Sequence, residues 1–333
     1  MAYGTRAEML EEKRRRRQED ADRRSRIKKA NKSLLVAPKK TQRSLGIIQI
    51  DPEGVLHFQD GRWMSFLEVT GGMKHFPTAA ESIGCRSIFT AVMGEETRFF
   101  LTLIREGDIY EPVRAAFLED EEILRDGMKV RKLSAEEAFD AMRKISMIEQ
   151  PFSFETLMKK RKDLGQMVLP HVIGGYETFG IGEDAGTGFF IMQYPQQLTC
   201  SVLKEACMIA GRIIFSFSYN PVSEQRREEY LAYLSKRYAK DVKEEMVRPF
   251  GSAYAAVTAF CVKSKDIQAV RKRIQETFAD AGFMIAPCYD DQKKCVLSQL
   301  SLGMIDKAKP QNVTRDMMQE LFKKEFCHDP DKV

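Results

Sequence analysis

Apolar and polar positions alternate most legibly between Tyr176 and Tyr238. An apolar run over Gly188–Tyr194 reaches a Tyr-Pro stop, and an amphipathic stretch near Thr199–Ala210 follows. A second apolar run with aromatic alternation, Arg212–Tyr219, ends at Asn220-Pro221 before a long charged helix from Ser223 to Met246. Strand, helix, strand and helix in this order predict an α/β or α+β layer with apolar faces buried between sheet and helices. The pattern resumes after Gly251. Ala255–Val262 reads as a strand, and Ser264–Ala281 as a helix (Ile267, Val270, Ile274, Phe278) closed by Gly282. Phe283–Ala286 reads as a further strand, and Gln292–Leu302 as a mixed segment. Residues 176–305 therefore fit two split β-α-β units of a ferredoxin-like α+β layer.

The first half repeats the theme loosely. Gly46–Ile50, Val55–Gln59 and Arg62–Val69 read as strands, with turns at Asp51-Pro52-Glu53-Gly54 and Asp60-Gly61. Thr78–Met93 has helical spacing (Ala80, Ile83, Ile88, Val92), and Thr97–Ile104 is rich in strand formers. Residues 109–163 read as mostly helical; Ser134 with Glu137 forms a capping-box signal, and Pro151 breaks the region. Glycine and proline over Leu164–Gly175 mark the boundary between two lobes. The expected division is an arm at 1–44, α+β lobes at 45–165 and 166–310, and a C-terminal charged helix with a polar tail at 311–333.

Composition narrows the chemistry. Hydrophobic residues are 43% and charged residues 30% of 333, enough for sizeable cores. No apolar stretch approaches the roughly 18–20 residues that span a bilayer. The first 30 residues are dense in charge, without the apolar core of a signal peptide. The seven cysteines (Cys85, Cys200, Cys207, Cys261, Cys288, Cys295, Cys327) are odd in number and form no C-x-x-C pair. His57, His75, His171 and His328 lie far apart in the chain. Neither a zinc site nor a disulfide framework is expected, and the thiols read as small buried hydrophobes of a reduced cytoplasmic protein. His57, on an alternating strand, reads as a surface or satisfied strand histidine. No metal or cofactor is assigned.

Charge is unevenly placed. Residues 1–44 carry fifteen Lys and Arg against six Asp and Glu, a net of +9, whereas the remainder nets −4. The basicity is therefore a local arm. Its cations are Lys13, Arg14, Arg15, Arg16, Arg17, Arg23, Arg24, Arg26, Lys28 and Lys29, and these are the candidate anionic-surface binding residues. Glu11 and Glu12 precede Arg15 and Arg16 at spacings that support a helix, although apolar residues are too sparse for it to bury a face. An anionic membrane surface, an acidic partner or phosphate would each attract such an arm. Only Tyr3 is available for base stacking, so nucleic acid is the weaker expectation. A second basic cluster, Lys159-Lys160-Arg161-Lys162, reads as a solvated helix face.

Gly180, Gly182, Gly186 and Gly188 match neither G-x-x-x-x-G-K-[ST] nor G-x-G-x-x-G before a helix, and Glu183 and Asp184 would repel phosphate. A hairpin between Glu177–Ile181 and Gly188–Tyr194 explains these glycines better. Two carboxylate pairs, Glu183-Asp184 and Asp290-Asp291, could hold a metal but read as solvated turn acids.

Several pieces, in order, resemble the N-terminal, non-motor part of the conjugative type IV secretion ATPase family (the CagE, TrbE, VirB family). They are the hairpin with DGRWMSFLEVTG; the strand ending Gln193-Tyr194-Pro195; the helix and strand leading to Tyr219-Asn220-Pro221; the charged helix with Tyr233-Leu-Ser-Lys-Arg-Tyr238; and the strand-helix-strand followed by Gln292 and Ser298-Gln-Leu-Ser-Leu-Gly303. The likeness covers about residues 45–310. In that family such a segment precedes the motor domain. This chain contains no G-x-x-x-x-G-K-[ST] motif, so the family's ATPase activity does not transfer to it. The resemblance implies a non-catalytic assembly component of a DNA-transfer machine, cytoplasmic and peripheral to the inner face of the membrane. It implies inner-membrane channel proteins, a separate ATPase subunit or further copies of the chain as partners. A nucleic-acid-binding accessory protein of a mobile element is the alternative.

Overall fold

A computed structural model describes residues 6–146, 148, 152–195, 201–238, 251–261, 266–300 and 311–326. In chain order the first half holds α1 (Arg6–Ala30), β1 (Leu35–Val36), α2 (Lys39–Leu45), β2 (Ile47–Asp51), β3 (Val55–Phe58), β4 (Arg62–Gly71), α3 (Phe76–Ile83), β5 (Arg86–Met93), β6 (Arg98–Glu106), α4 (Tyr110–Arg125), β7 (Lys129–Lys132) and α5 (Ala135–Ile145). The rest holds α6 (Phe154–Lys159), α7 (Gly165–Val168), β8 (Val172–Gly174), β9 (Phe179–Ile181), β10 (Asp184–Gln193), α8 (Val202–Ala210), β11 (Arg212–Pro221), α9 (Glu224–Tyr238), β12 (Gly251–Cys261), α10 (Ile267–Asp280), β13 (Met284–Pro287), α11 (Gln292–Ser298), β14 (Gln311–Val313) and α12 (Arg315–Phe326). The fold class is α+β. The pairings between described strands are antiparallel, and fourteen strands join one sheet.

Two ferredoxin-like βαββαβ units form the centre of this sheet. The first is β4-α3-β5-β6-α4-β7, with spatial order β7-β4-β6-β5. The second is β10-α8-β11-β12-α10-β13, with spatial order β13-β10-β12-β11 and α9 inserted between β11 and β12. Both have the fourth, first, third and second strands side by side. Each unit thus leaves its second strand at an edge, and the two edges pair: β5 runs antiparallel to β11, with Thr90 opposite Ser216. An unpaired edge exposes a row of backbone donors and acceptors, so joining the edges satisfies both at once.

The register preserves a local two-fold. Ile83-Gly84-Cys85-Arg86-Ser87-Ile88-Phe89-Thr90 and Ile209-Ala210-Gly211-Arg212-Ile213-Ile214-Phe215-Ser216 occupy equivalent places in the two units, and their last residues face each other across the junction. This short likeness is the trace that the repeated architecture leaves in sequence.

Side-chain alternation splits the core between the two faces of the sheet. On one face Phe89, Ala91, Phe215 and Phe217 meet α3, α4, α8, α10 and α12. On the other, Ile88, Phe100 and Ile214 share a core with residues of α5, α7 and α11. Helix α12 lies over the junction. Its Phe322 packs on Phe76 and Phe89, each 4.8 Å away between ring centroids, and Phe326 packs on Phe89, Phe99 and Phe215. Glu325 of the same helix is buried and caps α8. Its carboxylate accepts from Ser201 Oγ at 2.7 Å, Val202 N at 2.8 Å and Leu203 N at 3.1 Å. Burial pushes its pKa up, against those hydrogen bonds.

Several local expectations need redrawing. Thr78–Met93 is not one helix: α3 stops at Gly84, which takes φ +63°, and Arg86–Met93 is a central strand. Ile88 and Val92 continue a four-residue spacing only by coincidence, and both face the α5 and α7 side. The stretch 109–163 contains the short strand β7 as well as helices. Gln292–Ser298 is a helix. The hairpin at 179–193 turns tightly at Gly182-Glu183. Its glycines admit neighbours: a Cβ at Gly186 would lie 2.1 Å from the Phe179 ring, and one at Gly188 would lie 2.5 Å from Cys295 Sγ. Pro151, Ser264, residues 239–246 and Cys327 with His328 fall outside the described residues.

Candidate anionic-surface site

The arm is a 25-residue helix, α1, from Arg6 to Ala30. Its formation follows from ion pairs along its own surface. Glu12 meets Arg15 at 2.7 Å and Arg16 at 2.8 Å, and Arg15 reaches Glu19 at 3.6 Å. Hydrogen bonding to Arg16 holds the Glu12 carboxyl below its usual range. All ten candidate cations are exposed. Past Ala30 the chain is built into the first unit. Asn31 is buried; its side chain donates to Asp108 O at 3.1 Å and accepts from Tyr110 N at 3.0 Å. Arg23 pairs with Asp108, which raises the guanidinium's pKa. Leu164 N donates to Thr41 Oγ1 at 2.9 Å, so α2 is tied to α7. The part of the arm from Asn31 to Ser44 is thus a root, and the free charge lies on α1. Asn31 and Asp108 gave no signal in sequence, because a single Asn beside a basic run looks like a turn.

The cations divide by partner. Arg15, Arg16 and Arg23 are neutralised in ion pairs. Among the described residues, Lys13, Arg14, Arg17, Arg24, Arg26, Lys28 and Lys29 make no ion pair. At 3.6 residues per turn, Lys13, Arg17, Arg24 and Lys28 fall within a sector of about 60°. Acidic Glu12, Glu19 and Asp22 lie on other sides; Asp20, at the margin of the sector, acts on Arg23. The second basic cluster is elsewhere, at the end of α6, where Lys159 pairs with Glu155 at 2.5 Å.

The remaining candidates are structural. His57 is buried and stacks on Trp63, with centroids 3.7 Å apart and planes within 3°. Its Nδ1 lies 2.9 Å from Gln49 Oε1. Burial lowers its pKa to about 4. Neutral histidine is therefore required in the fold. Its contribution to stability is complete above pH 6.5 and is lost as pH falls from 6.5 through about 4. Urea midpoints between pH 7.5 and 4 should drop by the equivalent of about 2–3 kcal/mol from this group. His57→Phe, which keeps the ring stack, should flatten that acid limb; an unchanged limb would refute the assignment.

The carboxylate pairs remain separate. Asp184 lines a cleft of about 800 Å³ with Arg98, Lys144 and Arg212, and neither Asp290 nor Asp291 borders it. Arg212 there donates to the Lys144 and Ile145 carbonyls at 2.8 and 3.2 Å, closing the end of α5. Asp291 pairs with Lys294 at 3.2 Å. Among the described residues no three His, Cys, Asp or Glu side chains gather as a metal site. Cys85, Cys207, Cys288 and Cys295 are not joined in disulfides, and all but the half-buried Cys207 are buried.

No protein-family model matches this chain, and no curated protein matches it. Among solved structures it is similar to the crystal structure of aclacinomycin oxidoreductase, at 8% identity and a TM-score of 0.31, over 70% of this chain and 42% of that one. A likeness of that degree carries no argument about activity. The chain spans less than half the length of that structure. No helix among the described residues is long and apolar enough to cross a membrane.

Proposed function

We propose that this chain is a non-catalytic assembly module of a conjugative type IV secretion machine, peripheral to the inner face of the cell membrane. Its two units dock on inner-membrane channel components and on a separate ATPase subunit, and α1 adds electrostatic attraction. The observation that carries the reading is the use of the interior. Two buried carboxylates hold elements together: Glu325 caps α8, and Asp120 of α4 binds Arg105 of β6 through two bonds of 2.6 and 2.7 Å. The aromatic core fills the junction between the units. Further support comes from where the family-like pieces fall. DGRWMSFLEVTG forms β4 and its turn, and Tyr219-Asn220-Pro221 ends β11, so one of these pieces lies in each repeated unit.

The test uses the full chain, tagged, with purified channel and ATPase components of a conjugative element. Capture of at least one component, retained after neutralising the α1 cations, is the expected result. Saturable ATP binding with turnover, abolished by a point change within residues 45–326, would overturn the reading and make the chain an enzyme.

A further inference from the structure

We infer that one stripe of α1, formed by Lys13, Arg17, Arg24 and Lys28, lies on the anionic headgroups of a phospholipid bilayer. The inference rests on the proposed membrane-side assembly role and specifies which part of the arm performs it.

Three observations single out these four residues. They are exposed and lack ion pairs among the described residues, whereas Arg15, Arg16 and Arg23 are already neutralised by Glu12, Glu19 and Asp108. They recur at spacings of four, seven and four, which align them in a straight row about 22 Å long. Leu10 precedes the row on the same side, 54% exposed, with Met9 beside it at 63%. These apolar side chains stand at the far end from the root that Asn31 fixes on the α4 side.

A straight row of cations fits a plane of negative charge. Duplex DNA presents a curved backbone, and binding to single strands uses aromatic rings for base stacking, of which α1 has none. Two apolar side chains at the tip suit entry into the headgroup layer, as on helices that lie in a membrane interface. The Arg23–Asp108 pair and the Asn31 contacts join the root end of the helix to the first unit.

The experiment is co-sedimentation of the full chain with phosphatidylcholine vesicles, with and without phosphatidylglycerol. A variant carrying K13Q, R17Q, R24Q and K28Q is compared with one carrying R15Q, R16Q, R26Q and K29Q, which loses equal charge off the row. Trp63 fluorescence together with far-UV circular dichroism confirms that both variants are folded. Each cation near an anionic bilayer is worth about a fivefold gain in partitioning. The row variant should weaken binding about a hundredfold or more, and the off-row variant by less than about tenfold. Equal losses in the two variants would overturn the inference in favour of diffuse charge. So would wild-type binding to duplex DNA as strong as to phosphatidylglycerol vesicles at matched phosphate and salt. Absence of wild-type vesicle binding would also overturn it. If capture of channel components persisted in that case, the assembly reading would stand and only the lipid contact would fall.

Discussion

Phe322→Ala is expected to lower the stability of the chain by about 3–5 kcal/mol. The ring is fully buried and touches Phe76 and Phe89 of the first unit, Phe217 of the second and Phe326 of its own helix. Those neighbours belong to four elements, so they cannot collapse together to refill the space. The loss therefore combines transfer of the ring to water with a persisting cavity. Phe322 also sets the position of Glu325, three residues on. Helix α8 has no capping side chain of its own and relies on that carboxylate. Urea unfolding followed by far-UV circular dichroism reads both units, and the single tryptophan, Trp63, reads the first. Coincident midpoints shifted together are expected, because α12 bridges the units. A loss under about 1 kcal/mol would mean that α12 does not brace the junction. Phe322→Leu, which retains most of the volume, should cost under about 1.5 kcal/mol.

The second unit was legible in sequence because its strands are long, apolar and bounded. Tyr194-Pro195 and Asn220-Pro221 mark strand ends, and Gly282 follows α10, just after its cap Ala281. The first unit was harder. Its helix α3 is only eight residues long, and the strand after it repeats apolar residues at a helical spacing. Only the pairing of β5 with β6 and β11 decides between the two readings, and pairing is non-local. The repeat showed only as a loose repetition of theme for the same reason: the units share an order of elements, with one brief run of similar residues at their junction. The charge of the arm was plain, but its division into neutralised and unpaired cations depended on where Asp108 lies in space. Sequence also gave no hint that Glu325, in a charged C-terminal helix, would turn inward to cap α8.

Asp120→Ala should cost about 3–4 kcal/mol, by a different physics. Asp120 is buried on α4, and its two oxygens receive Nε and Nη2 of Arg105 from β6 at 2.7 and 2.6 Å. Burial pushes the Asp120 pKa up, and the guanidinium opposes that shift; the carboxylate in turn raises the pKa of Arg105. Geometry of this kind is that of an ionised, fork-to-fork pair. Removing the acid leaves a guanidinium that is only 28% exposed without its counter-charge, beside the Cys85 thiol, whose pKa burial raises to about 12. Arg105 cannot lose its proton to escape, so it must swing out to water and strip packing from the α4–β6 contact. Coupling decides whether this account is right. Arg105→Met together with Asp120→Ala should be more stable than Asp120→Ala alone, because the uncompensated charge is gone. If the two losses instead add within about 0.5 kcal/mol, the residues act independently and the pair does not hold α4 on the sheet.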